Sequence, residues 1–580
     1  MHQPSREPRA SVFYRYGIHP YRRSADRDGR AQAPVVIVGA GPIGLVTALG
    51  LARFGVASIV LEEDLQVSHG SRAIVLTRRS LEILQQLGID RPFRAKGLAW
   101  SFGRSFYRGR EVYRMVMPHD EDDRFLPGLN IQQQYTEEYL IAACAGEPLI
   151  DLRFGEKLVA LAPGAHEASL AIDTPEGEYT LIAPWVVAAD GGRSTVRRLL
   201  GLKMEGRAYA GNFVIADIRA DIDLPTERLC HFEPAWNAGN NVLVHRQPDG
   251  IWRIDFRLPD GETPQAALEP SMLRVRIEAV LAMIGQPVPW QLDWATVYSA
   301  SALTLPQLVH GRVAFVGDAA HLLPIFGVRG FNTGIQDSHN LAWKLAFVIR
   351  GWAGADLLAS YSSECVAAAR EICEEAGKST RFMTPPSAGF RLMRDAVLSF
   401  SLSEEFAKDL LHWRTSRPHE YRGSALSSVD GFDVAPGIAA GAAGVAIGAA
   451  ARNVKLGEDD YLFDRLGSRP GFCLLLFAGE RADPRQLAEL LAAPRDLPFP
   501  VFRALIAAQP GALAGLAEVT LSDDGARIAR KYAAAPGTAY LLRPDRHVCA
   551  RWSRADPERV REALRRATAA QASAGASLAG

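Results

Sequence analysis

The sequence predicts an α/β fold: a parallel β–turn–α–β domain interleaved with a strand-rich sheet domain, followed by a second, smaller α/β unit. Three observations predict it. Ala33–Val38 is a Val/Ile-rich run ending at Gly39, Ile43–Arg53 repeats apolar residues at helical spacing until Gly55, and Ser58–Leu61 is apolar again. Residues 151–189 and 212–258 alternate with period two and carry hairpin punctuation at Pro175-Glu176-Gly177 and Pro248-Asp249-Gly250. Beyond an uncharged Gly/Ala stretch, short strand and helix patterns resume to the end.

A chain of 580 residues exceeds one ordinary core, so two or three domains are expected. Lys+Arg and Asp+Glu both number 65, which leaves no global field to attract nucleic acid. The six cysteines form no CxxC pair and no disulfide framework, so a reducing cytoplasm is the simplest compartment. No Cys/His cluster has metal-ligand spacing.

In chain order, residues 1–33 are rich in arginine, lack an apolar core and contain Pro4, Pro8, Pro20, Glu7, Asp26 and Asp28. They read as an irregular arm docked through Phe13, Tyr14, Tyr16 and Tyr21 rather than as a secretory or import signal. Residues 34–200 and 300–400 form the discontinuous β–turn–α–β domain, with helices at Ser80–Leu87, Tyr135–Cys144 and Gly334–Arg350 and a buried strand at Val313–Val316. Residues 201–299 form the sheet domain, with strands Val242–Gln247 and Trp252–Leu258. Residues 401–454 are a helical and Gly/Ala-rich linker. In it Gly437/Gly441 and Gly444/Gly448 mimic membrane packing motifs, yet the run has Pro436 and too few large apolar residues to span a bilayer. Residues 455–580 form the last unit, with strands at Gly471–Phe477, Ala517–Leu521 and Thr538–Leu542 and helices at Pro484–Leu491 and Pro557–Thr568.

The first turn carries chemistry. Gly39-Ala40-Gly41-Pro42-Ile43-Gly44 is GxGxxG between a strand and a helix, the Rossmann arrangement. Gly39 permits the turn, Gly41 lets a pyrophosphate reach the backbone, and Gly44 lets helix and strand pack. The helix N-terminus offers free N–H groups and a positive dipole end. Glu62, followed by Glu63, ends the second strand about twenty residues on, where a carboxylate accepts ribose hydroxyls. The loop alone does not separate FAD from NAD.

Two further motifs do. Asp190-Gly191-Gly192-Arg193-Ser194-Thr195 follows a strand, and Val316-Gly317-Asp318-Ala319-Ala320-His321 continues through Pro324 to Gly330-Phe331-Asn332. In this order the three segments resemble the class A flavoprotein monooxygenases, which include hydroxybenzoate and phenol hydroxylases. The resemblance implies a Rossmann-type FAD-binding domain, with Asp318 on the ribityl chain and the Gly330–Asn332 turn facing the flavin pyrimidine. It further implies Asp190 in the middle motif, Arg72 at the FAD pyrophosphate and Gln133 against the cofactor. A solvated loop arginine and a helix cap are the plainer readings of Arg72 and Gln133. His321 is expected to be structural. Arg329 stands where many relatives have glutamine, and Ile74 where phenol hydroxylases carry an aspartate.

The same resemblance implies that NADH or NADPH reduces FAD, that oxygen adds at flavin carbon 4a, and that the hydroperoxide hydroxylates a phenolic substrate. Related outcomes without a phenol, namely epoxidation, Baeyer–Villiger insertion and dearomatisation, stay open, as does a non-catalytic flavin redox sensor. On the hairpin, His245 and Gln247 share one side, as do Arg253 and Asp255. His245 is the candidate to take the phenolic proton and Asp255 to orient it, with Gln247, Arg253 and Pro324 as substrate contacts. A solvent-facing polar row with an Arg253–Asp255 or cross-strand pair is the equal alternative. The C-terminal unit resembles the thioredoxin-like domain of the phenol hydroxylase branch through Phe463-Asp464, Tyr532 and Ala539–Asp545. Its expected role is structural or in a homodimer.

Overall fold

The computed structural model describes residues 1–27, 29–259, 261–324, 326–410, 417–432 and 444–569. Strand Val35–Val38 is buried along its whole length, because it sits centrally in a six-stranded sheet. Its neighbours are Trp185–Ala188 and Ser58–Glu62, both parallel to it. Val313–Phe315 and Ile150–Phe154 lie next outward and are parallel too, and only the edge strand Val309–His310 is reversed. Helices cover such a sheet, which is why its strands read as unbroken apolar runs. Helix Pro42–Ala52 packs on helix Gly330–Ile349, close enough that a Cβ on Gly50 would lie 2.6 Å from that of Ala342. The latter helix starts four residues before its apolar period does, since Asn332 and Thr333 are buried polar residues that hide the pattern.

The second sheet has eight strands, in the order His321–Leu322, Trp290–Thr304, Glu205–Ala220, Ile251–Arg257, Asn241–Arg246, Arg228–Phe232, Phe102–Tyr107, Arg110–Val116. One face buries Val214, Ala216, Val242, Val244, Ile254 and Phe256 under helix Pro270–Met283 through Leu273, Ile277 and Val280. Strand alternation then turns the intervening side chains to the opposite face. The boundary 201–299 needs correction: Phe102–Val116 joins this sheet by parallel pairing of Gly103–Tyr107 with Arg228–Phe232. That pairing is non-local, and local pattern does not report it.

The C-terminal unit is a five-stranded sheet in the order Val519–Ser522, Val501–Ala507, Phe472–Ala478, Ala539–Leu542, Val548–Trp552. The first three are parallel and the last two successively antiparallel. Val501–Ala507 and Val548–Trp552 are two strands that the sequence pattern did not pick out. In the linker, Gly437, Gly441 and Pro436 fall outside the described residues, as does Asp28 of the arm. Gly444 and Gly448 lie in non-helical turns, so the described part of the run is an irregular connection. No helix among the described residues is long and apolar enough to cross a membrane.

A buried charge cluster docks this unit on the first domain. Glu364 accepts hydrogen bonds from Arg543 (2.7 and 3.1 Å), Lys344 (2.7 Å) and Asn340 (2.7 Å), and from Ser424. Asp545 takes the other side of Arg543 and accepts from Trp343 Nε1 at 3.2 Å. Arg79 and Gln86 donate to the carbonyls of Asp545 and Pro544.

Candidate functional site

The glycine loop is built from close approaches. Gly39 has φ +106°, and a Cβ there would lie 2.6 Å from the Ala189 carbonyl oxygen. A Cβ on Gly44 would lie 2.1 Å from the Gly39 carbonyl. A Cβ on Gly41 would meet nothing within 4 Å, so this face of the loop is open. Pro42 opens the helix without wasting a donor, Ala40 is buried, and Ile43 packs under Gly317 and Gly334. The Ala40 N–H donates to Glu62 at 2.9 Å and the Asp64 N–H at 3.1 Å. Burial raises the Glu62 carboxyl to about 7 despite those two donors. Glu63 turns the other way, into an exposed ion pair with Lys157 at 2.9 Å, and leaves the set of loop-facing residues.

The other motifs converge on this loop. Asp190 Cα stands 3.1 Å from the Cβ position of Gly39. Its Oδ2 accepts from the Val196 N–H at 3.0 Å, while Oδ1 is buried without a hydrogen bond. Asp318 is exposed next to Gly330, with Oδ1 3.7 Å from that residue's Cβ position. Enclosure raises its pKa first, and His321 and Arg72 oppose that rise. Gln133 holds the Arg72 segment by accepting from the Arg72 and Ala73 N–H groups at 3.2 and 3.3 Å. Arg72 itself is exposed, and its charge acts on Asp318. His321 is buried against Asp337 at 2.6 Å, a tie between the Gly-Asp turn and helix Gly330–Ile349.

Asn332, in the turn expected to face the flavin, has its side chain bonded within the protein. Its Oδ1 accepts from Thr77 and Ser80, and its Nδ2 donates to Val75 and Val328 carbonyls. The side chain is spent within the protein, and what this turn can offer a ligand is the unpaired N–H groups of a helix N-terminus.

On the eight-stranded sheet, His245 pairs across from Arg253 and from Arg228, and Asp255 across from Leu243 and Ile215, so all share the face opposite helix Pro270–Met283. That face looks toward the Arg72 segment, because Arg253 reaches the Ser71 and Arg72 carbonyls. Arg253 also pairs with Asp217 at 2.7 and 2.8 Å, not with Asp255, so its guanidinium is consumed and it is withdrawn as a substrate contact. Pro324 is buried in the loop before helix Gly330–Ile349. Gln247 is buried with neither amide atom bonded, His245 Nδ1 and Asp255 Oδ1 likewise. Burial, then Arg228 and Arg253, push His245 well below the ordinary imidazole value, leaving it neutral at pH 7. Burial raises Asp255 to about 7, against the pull of Arg253 and Arg228.

Sequence reasoning missed Arg228 and Tyr298. Arg228 sits on an alternating strand beside Cys230, a signal open to the period-two argument. Tyr298 pairs across from Phe213 and feels Asp318 and Arg72, which only the fold brings near.

The profile of the family described as FAD binding domain matches residues 32–376, more than half of the chain. The chain belongs to this FAD-binding family. Within it, the chain is 30% identical over 374 residues to 3-(3-hydroxy-phenyl)propionate/3-hydroxycinnamic acid hydroxylase 2 of Burkholderia vietnamiensis, covering 64% of this chain and 67% of that one. The similarly named hydroxylase of Comamonas testosteroni is 29% identical over 383 residues, 65% of this chain and 63% of its own. Among solved structures, the flavin-dependent monooxygenase PieE with FAD and substrate superposes with TM-score 0.77 at 23% identity, over 94% of this chain and 100% of that one. Aklavinone-11 hydroxylase with FAD and aklavinone gives 0.73 at 24% identity, over 93% and 99%. FAD is the cofactor of this FAD-binding chain, and the site fits it. Gly41 presents an open backbone face suited to a pyrophosphate, and Glu62 and Asp318 are acceptors suited to hydroxyl groups.

Proposed function

We propose that this protein is an FAD-dependent monooxygenase that uses NADH or NADPH and O2 to hydroxylate a phenolic ring. The observation that carries the reading is the set of buried polar atoms without partners on His245, Gln247 and Asp255, all on the sheet face turned toward the Arg72 segment. Buried polar groups are nearly always hydrogen-bonded, so the four such atoms on His245, Gln247 and Asp255 mark a place for a polar ligand. The hydroxylases among the relatives act, by their names, on phenols bearing a carboxylate chain.

In this reading Glu62 holds the ribose, Gly41 and the following helix N-terminus the pyrophosphate, and Arg72 lies beside it. Asp318 holds the ribityl chain, and the N–H groups of Gly330–Asn332 face the pyrimidine. Bound FAD supplies activation of O2 after reduction by the nicotinamide. The chain orients the ring and moves its proton. Neutral His245 accepts a hydrogen bond from the phenolic hydroxyl at a ring nitrogen, Gln247 fixes a polar substituent, and the Asp255 carboxylate favours departure of the phenolic proton. The sheet and the cofactor loops exclude water from the reacting atoms. The six free cysteines suit a reducing cytoplasm, and we expect a homodimer, checked by its mass in solution.

The test is NADH and NADPH oxidation across phenolic acids, including 3-(3-hydroxyphenyl)propionate, with product mass. Stimulation by a phenol with a mass gain of one oxygen atom supports the reading. A protein that binds FAD, yet oxidises neither nucleotide faster with any phenol, refutes it.

A further inference from the structure

The family match begins at residue 32, and the arm before it makes ordered contacts with one segment of the cofactor domain. Between the end of strand Ser58–Glu62 and strand Val75–Thr77 the chain has no regular structure. Glu62 and Arg72 stand at the two ends of that stretch. Irregular backbone of this kind holds its shape only through ties to its surroundings.

Helix Gln133–Ala145 ties it from one side. Glu137 accepts from the Ser68 N–H at 2.6 Å and the Ser68 hydroxyl at 2.7 Å, and Gln133 holds Arg72 and Ala73 as described. The arm ties it from another. Arg9 donates to the Val67 carbonyl at 2.6 Å and to Asp64 at 2.7 Å, and its N–H to Gln66 at 2.9 Å. Gln66 returns a bond to the Glu7 carbonyl at 2.9 Å, and the His19 N–H donates to the Leu65 carbonyl at 2.8 Å. The buried Tyr16 hydroxyl donates to the Ser68 carbonyl at 3.3 Å and accepts from the Gly70 N–H at 3.4 Å and Gln134 at 3.1 Å. The arm is itself anchored. Asp293 of the eight-stranded sheet accepts from Ser11 at 2.6 Å and the Val12 N–H at 2.7 Å, and Tyr14 donates to Glu138 at 2.8 Å.

We propose that the arm is a strap for the adenosine end of FAD, with Arg9 and Tyr16 as positioning residues that hold the Glu62–Arg72 segment in its binding shape. This rests on the reading that Glu62 and Arg72 border the cofactor. Loosening the strap frees a segment that FAD binding must then order again, so FAD is held less tightly and released faster. Coupling of this kind is reciprocal, so bound FAD must also hold the arm down.

The experiment uses the full chain loaded with FAD. Release is followed by flavin fluorescence after dilution for wild type, Tyr16→Phe, Arg9→Ala and Arg9→Lys, with the melting temperature of each FAD-free form measured alongside. The expected result is release roughly tenfold faster for Tyr16→Phe and Arg9→Ala, a smaller change for Arg9→Lys, and FAD-free forms that still fold, with melting lowered by about 5 °C at most. Release within twofold of wild type in folded variants overturns the proposal. Should a variant fail to fold, wild type decides through tryptic cleavage at the exposed Arg15 and Arg22. FAD must slow that cleavage, and equal rates with and without FAD overturn the strap while leaving FAD binding intact. A wild-type chain that takes up no FAD removes the cofactor reading and the strap together.

Discussion

Glu364→Gln tests the cluster that docks the C-terminal unit. In the protein, Arg543, Lys344, Asn340 and Ser424 all donate to this one carboxylate, and burial is outweighed by Arg543 and then Lys344. The carboxyl is thereby lowered from 4.5 to about 2. A shift of this size corresponds to about 3 kcal/mol, at about 1.4 kcal/mol per pKa unit. A depressed carboxylate contributes its stability above its unfolded pKa and loses it as pH falls through the folded value. The contribution is therefore complete at pH 7 and fades between about 4.5 and about 2. The glutamine removes the charge and leaves Arg543 and Lys344 facing one buried anion, Asp545, where breaking such a pair typically costs ~3–5 kcal/mol. Scanning calorimetry at pH 7 should show a transition lowered by on the order of 6 °C or more, with the C-terminal unit melting ahead of the FAD domain. The difference between wild type and variant should shrink as the scan is repeated toward pH 3. A variant that melts as one transition within about 2 °C of wild type would show that the cluster does not couple the two units.

Three other predictions concern the site. Gly44→Ala should destabilise the FAD-free protein, since its methyl would lie 2.1 Å from the Gly39 carbonyl, whereas Gly41→Val should leave the melting temperature alone and weaken FAD binding by ~100-fold or more. Calorimetry and flavin titration separate the two. Asp255 titrates near 7, so kcat/KM for a phenol should rise as pH passes about 7 and the carboxylate forms to support His245. Asp255→Asn should flatten that limb and lower kcat/KM by ~10- to 100-fold, while an unchanged profile would remove Asp255 from the chemistry. Asp217→Asn strands the buried Arg253 and should cost about 3–5 kcal/mol in chemical denaturation, with KM for the phenol moving less than twofold if Arg253 is structural.

The cofactor half of the site was legible because its signals are local. GxGxxG, the acid at the end of the next strand and the Gly-Asp turn each sit within one loop. Period-two alternation also put His245 with Gln247 and Arg253 with Asp255, while the shared face of the two pairs follows from the strand register. Partner choice was not legible. Arg253 chose Asp217 over Asp255 because those two strands pair in a register that places the carboxylate directly opposite, a fact of sheet order and not of spacing. Asn332 sits in a motif that faces the cofactor, yet its amide is drawn to Thr77 and Ser80, residues that only the folded chain brings beside it. Phe102–Val116 shows the same limit, and so does the arm, whose aromatic residues were read as docking groups while their hydrogen-bonding targets stayed unseen.

The six-stranded sheet carries a consequence for the chain as it is made. Strands Val35–Val38, Ser58–Glu62, Ile150–Phe154 and Trp185–Ala188 can assemble early, but Val313–Phe315, which pairs with Val186–Ala188, emerges from the ribosome only after the strands of the eight-stranded sheet between Glu205 and Thr304 have been synthesised. Until then Trp185–Ala188 is an apolar strand with a bare edge, the kind of template that recruits neighbouring chains. Such high contact order makes completion of the sheet a slow event. Expression at lower temperature, or with a chaperone that shields strand edges, should therefore raise the yield of folded protein without altering any residue of the site.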